Sequence, residues 1–357
     1  MRLWIACLVA LLPCAALAQS PLTAEMRRTL QAGLVETADA FVLTAYKEQA
    51  AAADDLHQAL GSYCAGQGAV DAPRDGFAAL FLAWQRASLI ATGPITEAEG
   101  PMRVQLWPDP KGFGQRAVRA AVRAQDPALL QAGGMEGRSI ALTGLTALEH
   151  LLYADLAPDS YGCDLATAIA AYQAGLAAGL VAEWTPGSAY RRAYDTAADG
   201  NAVYPDVDAL LREVLAGTVV YVDRLRKFKI LRGIGTEAGA ARAERTEARQ
   251  SGLGLMSIEA SFRALADMYD VPFGLFDVAP DVGGSVEYLV LADTAASVAD
   301  ALSIMDGALA DIAAADGPQA QELRRFADLV LQHETFLKSG FLASLGLSAG
   351  FTAADGD

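Results

Sequence analysis

The chain has 357 residues, with 27 Lys and Arg against 43 Asp and Glu, for a formal net charge of −16. That balance argues against nucleic acid as a partner, because a polyphosphate backbone is held by clustered Lys and Arg. A processed length of about 340 residues exceeds the usual size of one compact core, so two lobes are expected.

The N-terminus, MRLWIACLVALLPCAALAQS, carries Arg2, an apolar run from Leu3 to Leu12, and the small-residue pattern Ala16-Leu17-Ala18. It reads as a signal peptide over residues 1–18, cut after Ala18. The apolar run is short for a spanning helix. No later segment approaches about 18 uninterrupted apolar residues, so no transmembrane segment is expected in the mature chain. Pro13 fits poorly before a lipid-modified Cys14. Cys7 and Cys14 leave with the signal, and loss of Arg2 takes the net charge to −17. Cys64 and Cys163 remain, and two thiols in an oxidising compartment most simply form a disulfide. Closing a loop of about 100 residues would contribute up to roughly 4 kcal/mol. The alternative is two separate buried thiols.

Helical periodicity follows. Leu30, Leu34, Phe41 and Ala45 recur at helical spacing, as do Phe77, Leu80, Phe81 and Trp84. Leu211, Val214, Leu215, Thr218, Val222 and Leu225 mark a long amphipathic helix, and Leu323, Phe326, Leu329, Val330 and Phe336 another. Alternating strand patterns are scarce, so the predicted class is all-α, with two helical-bundle halves. Breaks fall at GPITEAEGP, WPDPKGFG, LAPDSYGC, WTPGS and VPFGLFDVAPDVGGS. These give one half over 19–185, a second over 186–347, and a polar tail over 348–357. The charged run EAGAARAERTEARQSG, Glu237 to Gly252, reads as a helix facing water or a mobile connection.

The three histidines, His57, His150 and His333, are far apart, so a local zinc signature is absent. At His333 the second histidine of a helical H-E-x-x-H pair would be Leu337, and His333 with Glu334 reads as helix surface. Paired Glu-x-x-His elements, a phosphate loop, a G-x-S-x-G elbow and a C-x-x-C-H haem site are likewise missing. What remains is GLTALEHLLY. Thr146, Glu149, His150 and Tyr153 are three and four residues apart and share a helix face. An ionised Glu149 on an apolar helix needs a partner, which Arg86, Arg103 or a bound cation would supply. The plainer reading is a structural ion pair.

Taken in order, CAGQG at Cys64, AWQRASLIATGPI, QLWPDPKGFGQRAV, ALTGLTALEHLLY, YGCDLA, SGLGLMSIEASFRAL and the terminal GFTAADGD make the chain resemble the imelysin, or M75 peptidase-like, family. The resemblance implies an all-helical fold of two bundle-like halves, export to the periplasm or cell envelope, and association with iron-regulated or iron-uptake systems. The family's signature is G-x-H-x-x-E. Gly144 and Glu149 match its ends, but Thr146 stands where the histidine belongs. His150 follows the glutamate, rotated about 100° from it on a helix.

A metallopeptidase needs about three protein ligands and an open metal position, which one Glu and one Thr do not provide. The resulting expectation is a non-catalytic periplasmic binding protein in metal, above all iron, acquisition or sensing. Glu149 would be the metal ligand or central polar group, with Thr146, His150, Trp84, Arg86, Trp107 and Asp109 lining the same cleft. An iron or other divalent ion, or a chelate, would be the ligand, and an envelope iron-uptake component the partner. The aromatic residues suit a core equally well, and Asp109, between two prolines, suits a turn. Asp355 and Asp357 would join the site only if the tail folds back. The competing readings are a helical scaffold without a metal and, behind it, a metallopeptidase.

Overall fold

Alanine-rich stretches with apolar residues three and four apart bury one face each and leave the other to water, which is the condition for packed helices. The computed structural model describes residues 22–282 and 287–347. The signal peptide with its cut after Ala18, Cys7 and Cys14, and the tail carrying Asp355 and Asp357, lie outside those residues. The described residues are helical with no strand, in keeping with the all-α expectation.

Ten helices have eight or more described residues: α1 (Ala24–Thr37), α2 (Leu43–Cys64), α3 (Asp71–Ala87), α4 (Phe113–Ala124), α5 (Leu145–Leu152), α6 (Tyr161–Trp184), α7 (Val207–Arg224), α8 (Gly254–Tyr269), α9 (Glu287–Ser303) and α10 (Pro318–Phe336). Side-chain caps set several starts. Thr23, Ser160 and Asp206 accept from the amides of Met26, Cys163 and Ala209, opening α1, α6 and α7.

Helix α2 is flanked by α3 and α6. Cys64 at the end of α2 and Cys163 at the start of α6 form a disulfide with their Cα atoms 5.6 Å apart. By length and apolarity α6 is the one described helix that could cross a membrane. Here it lies along α2, with Trp184 buried and Gln173 donating to the carbonyls of Thr143 (2.7 Å) and Arg103 (3.0 Å).

Beyond residue 185, α7 carries the predicted stripe. Leu211, Leu215, Thr218, Val222 and Leu225 are all buried. A π-helical turn, Leu225–Ile230, continues it. Helix α1 is tied to this part of the chain: Arg27 pairs with Asp208 at 2.8 Å, Gln31 donates to the Tyr194 carbonyl, and the Thr37 hydroxyl accepts from the Leu275 amide. Helix α8 packs on α3 and α9, joined to α3 by an ion pair between Asp267 and Arg86.

The reading of His333 and Glu334 as helix surface is corrected. Both are buried on α10. His333 Nε2 meets the Tyr269 hydroxyl of α8, and Glu334 pairs with Lys338 at 2.6 Å. The helical period at α10 is right, but its buried arc is wide enough to include these polar positions.

Candidate functional site

Three backbone features assemble the site. A cis Trp107–Pro108 bond turns the chain ahead of α4. Asp109 then accepts from the amides of Phe113 and Gly114, both at 2.8 Å, so its carboxylate secures the first turn of α4. Gly144 opens α5 against the 103–104 backbone, where a Cβ would come within 2.6 Å of the Val104 carbonyl oxygen. That close approach lets the Thr146 hydroxyl donate to the Leu106 carbonyl at 2.9 Å.

Glu149, one turn further along α5, is bound by a segment 100 residues away. Its Oε1 accepts from the amides of Gln250 (3.1 Å) and Ser251 (2.9 Å) and from the Ser251 hydroxyl (2.8 Å). Gln250 also places its side-chain amide nitrogen 2.7 Å from His150 Nδ1. The expected counter-charges go elsewhere. Arg86 pairs with Asp267 and Glu48 and lies over the Phe41 ring, while Arg103 lies 3.7 Å from Glu99. The carboxylate is therefore stabilised by backbone and hydroxyl donors, as at a helix N-cap.

Glu149, Thr146, His150, Trp107 and Asp109 line one cavity of about 270 Å3, together with Arg249. Trp84 is buried and faces a neighbouring cavity of about 120 Å3, which shares Trp107 and Gln105 with the first. Arg86 lines neither.

The charged run from Glu237 to Gly252 is corrected. In place of a water-facing helix it is a loop with one short 3-10 turn at Ala243–Arg245, and Thr246, Glu247 and Ala248 are buried. Ala248 sits at a left-handed φ of 47°, unusual for a residue with a side chain, and its carbonyl accepts from the Ser251 hydroxyl at 3.1 Å. Just before it, Glu247 joins a buried network. Its carboxylate accepts from Lys229 (2.8 Å), Ser257 (2.6 Å) and Gln105 (2.8 Å), and Lys229 also donates to Gln85 and Ser257. Burial pulls the Lys229 ammonium below its ordinary value, and Glu247 opposes that shift. Gln250, Ser251, Lys229 and Glu247 were not singled out by sequence reasoning. Their partners lie on other elements, and only the segment beginning at Ser251 stood out, as part of the family resemblance.

The donor set does not suit a bare metal ion. Oε1 of Glu149 and both oxygens of Asp109 face N–H or O–H donors, and the Thr146 hydroxyl is committed to a carbonyl. What these bonds leave to a cation is Glu149 Oε2 and the lone pairs of the Thr146 hydroxyl, fewer than the three or so protein ligands a metal site uses. Among the described residues no group of three or more His, Cys, Asp or Glu side chains is gathered for a metal.

Comparison with known proteins agrees with this architecture. The family model for Peptidase_M75, imelysin, matches residues 42–331. The chain belongs to the imelysin family. Its fold is that of an imelysin-like protein from Psychrobacter arcticum 273-4, with a TM-score of 0.74 and 21% identity over 93% of this chain and 100% of that one. It is also that of a candidate iron-regulated protein A precursor from Parabacteroides distasonis ATCC 8503, with a TM-score of 0.73 and 12% identity over 91% and 97% of the two chains. No curated protein sequence matches. Within this imelysin fold, the departure at Thr146 falls on the wall of the cavity beside Glu149.

Proposed function

We propose that this chain is an exported, non-catalytic imelysin-family binding protein serving an iron-related process in the periplasm, with its ligand held in the cleft at Glu149. The signal-like N-terminus and the Cys64–Cys163 disulfide support export to an oxidising compartment. The iron connection rests on the fold shared with a candidate iron-regulated precursor. The observation that carries the non-catalytic reading is the triple donation from Ser251 and Gln250 to Glu149 Oε1. Those donors hold Oε1 to the loop and leave Oε2 to a substrate or ion, with no group of three or more His, Cys, Asp or Glu side chains gathered beside it among the described residues. The ligand this donor set favours is a chelate or organic compound, which needs hydrogen-bonding groups and apolar walls more than a cage of carboxylates.

The same lock supports a second reading, a scaffold in which Glu149 only ties the loop to α5. A thermal-shift panel on metal-stripped mature protein separates them, using ferrous and ferric salts, a ferric chelate and haem, with Glu149→Ala in parallel. A selective shift lost in the variant supports binding. No shift with any probe, together with a lower Tm for the variant, supports the scaffold. Metal-dependent proteolysis abolished by Glu149→Ala would overturn the non-catalytic reading.

A further inference from the structure

A second, larger cavity of about 690 Å3 shares Gln115, His150 and Gln250 with the Glu149 cavity and runs between α4 and the stretch from Leu151 to Gly162. Its charge is opposite to that of the protein as a whole. Arg119 and Arg123, one turn apart on α4, both line it, and Asp155 is the single carboxylate among its lining residues. Both arginines are exposed, and neither has an ion pair or hydrogen bond among the described residues. The third arginine of the helix, Arg116, is turned away to the Lys111 carbonyl and the Phe113 ring. Helix α4 contains no acidic residue, in a chain with 43 Asp and Glu.

The floor is apolar. Val118 and Val122 come from α4, and Leu151 and Leu156 from the opposite wall. The volume falls in the range of sites for small organic ligands, roughly 300–1,000 Å3. Two guanidinium groups four residues apart on one helix face can each take a carboxylate in bidentate fashion. The shared wall adds further polar groups: the Gln115 and Gln250 amides and the His150 ring, whose Nδ1 lies 2.7 Å from the Gln250 amide nitrogen.

We propose that this cavity is a binding site for an organic polycarboxylate with a flat or apolar body, its carboxylates on Arg119 and Arg123 and its body over Val118 and Val122. The proposal rests on the reading of the protein as a binding protein and assigns the anionic part of its ligand to a surface distinct from Glu149.

The test is calorimetric titration of the full mature chain with benzenetricarboxylate and with citrate at low salt, with acetate as the monovalent control. Benzenetricarboxylate should bind more tightly than citrate because its ring covers the apolar floor, and acetate should not bind measurably. Arg119→Gln/Arg123→Gln should weaken binding about tenfold or more, and Arg119→Lys/Arg123→Lys should recover part of the loss. Both arginines are exposed, so unfolding of the variants is not expected, and circular dichroism checks it. No binding by either tricarboxylate, or binding unchanged in the Gln double variant, overturns the proposal. The ferrous and ferric salts of the Glu149 panel carry no carboxylate, so failure of this site and failure of iron binding at Glu149 can be told apart.

Discussion

Glu149 on α5 and Ser251 at the end of the 237–252 loop meet twice at one oxygen, through the serine hydroxyl at 2.8 Å and its amide at 2.9 Å. Removing the acceptor takes the partner from the Gln250 and Ser251 amides, while the Ser251 hydroxyl keeps the Ala248 carbonyl; removing the hydroxyl leaves Glu149 both amide donors. Glu149→Ala should therefore cost about 2–3 kcal/mol and Ser251→Ala about 1 kcal/mol. Urea unfolding of both single variants and the double variant measures this. A double-mutant cycle with no coupling energy would show that the contact is energetically idle.

The buried Lys229–Glu247 pair should behave asymmetrically. Lys229→Met leaves a buried carboxylate with only Ser257 and Gln105 as donors, and a loss of about 3–5 kcal/mol is expected. Lys229→Met with Glu247→Leu should be less damaging than the single change, because no uncompensated charge remains. Chemical denaturation of the two variants checks the order, and a double variant worse than the single one would contradict it.

His333 sets a pH dependence of stability. Burial lowers its pKa from 6.5 to about 4, so between those values the unfolded chain binds a proton that the folded chain refuses. Stability from this group is full above about pH 6.5 and falls as the pH drops toward 4, by up to about 3 kcal/mol. His333→Gln, which keeps a polar partner for Tyr269, should flatten that part of the Tm-against-pH curve. An unchanged slope from pH 7 to 4 would place His333 in contact with water.

Gly144→Ala should destabilise through crowding alone. The φ of −115° suits any residue, but the added Cβ would lie 2.6 Å and 2.9 Å from the carbonyl oxygens of Val104 and Arg103. Backbone oxygens held by neighbouring structure yield poorly, so a loss of about 1–3 kcal/mol is expected. Urea titration reads it, and a neutral result would mean that the 103–104 segment moves freely away from α5.

What could be read without coordinates was whatever is local along the chain. The stripe from Leu211 to Leu225 implies α7, and the three- and four-residue spacing of Thr146, Glu149 and His150 implies one face of α5. Both depend only on helix geometry. The Cys64–Cys163 pairing followed from counting thiols in an exported chain. The partner of Glu149 was not legible, because amides carry no side-chain signature and those of Gln250 and Ser251 come from 100 residues away. Composition misled at Glu247, since a glutamate in a run of charges looks solvated until Lys229, Ser257 and Gln105 are placed around it. Trp84 and Arg86 share α3 with the predicted stripe, but that helix faces them toward the core and α8 instead of the cleft.

The loop that forms the cleft wall is pinned at two points only a few residues apart, by Glu247 in the interior and by Gln250 and Ser251 on α5. Arg249 lies between those pins, exposed and on the cavity lining. Because neither pin uses its side chain, this position is an interchangeable tooth. Exchanging it can alter which molecules the pocket admits while the jaw that holds it keeps its shape.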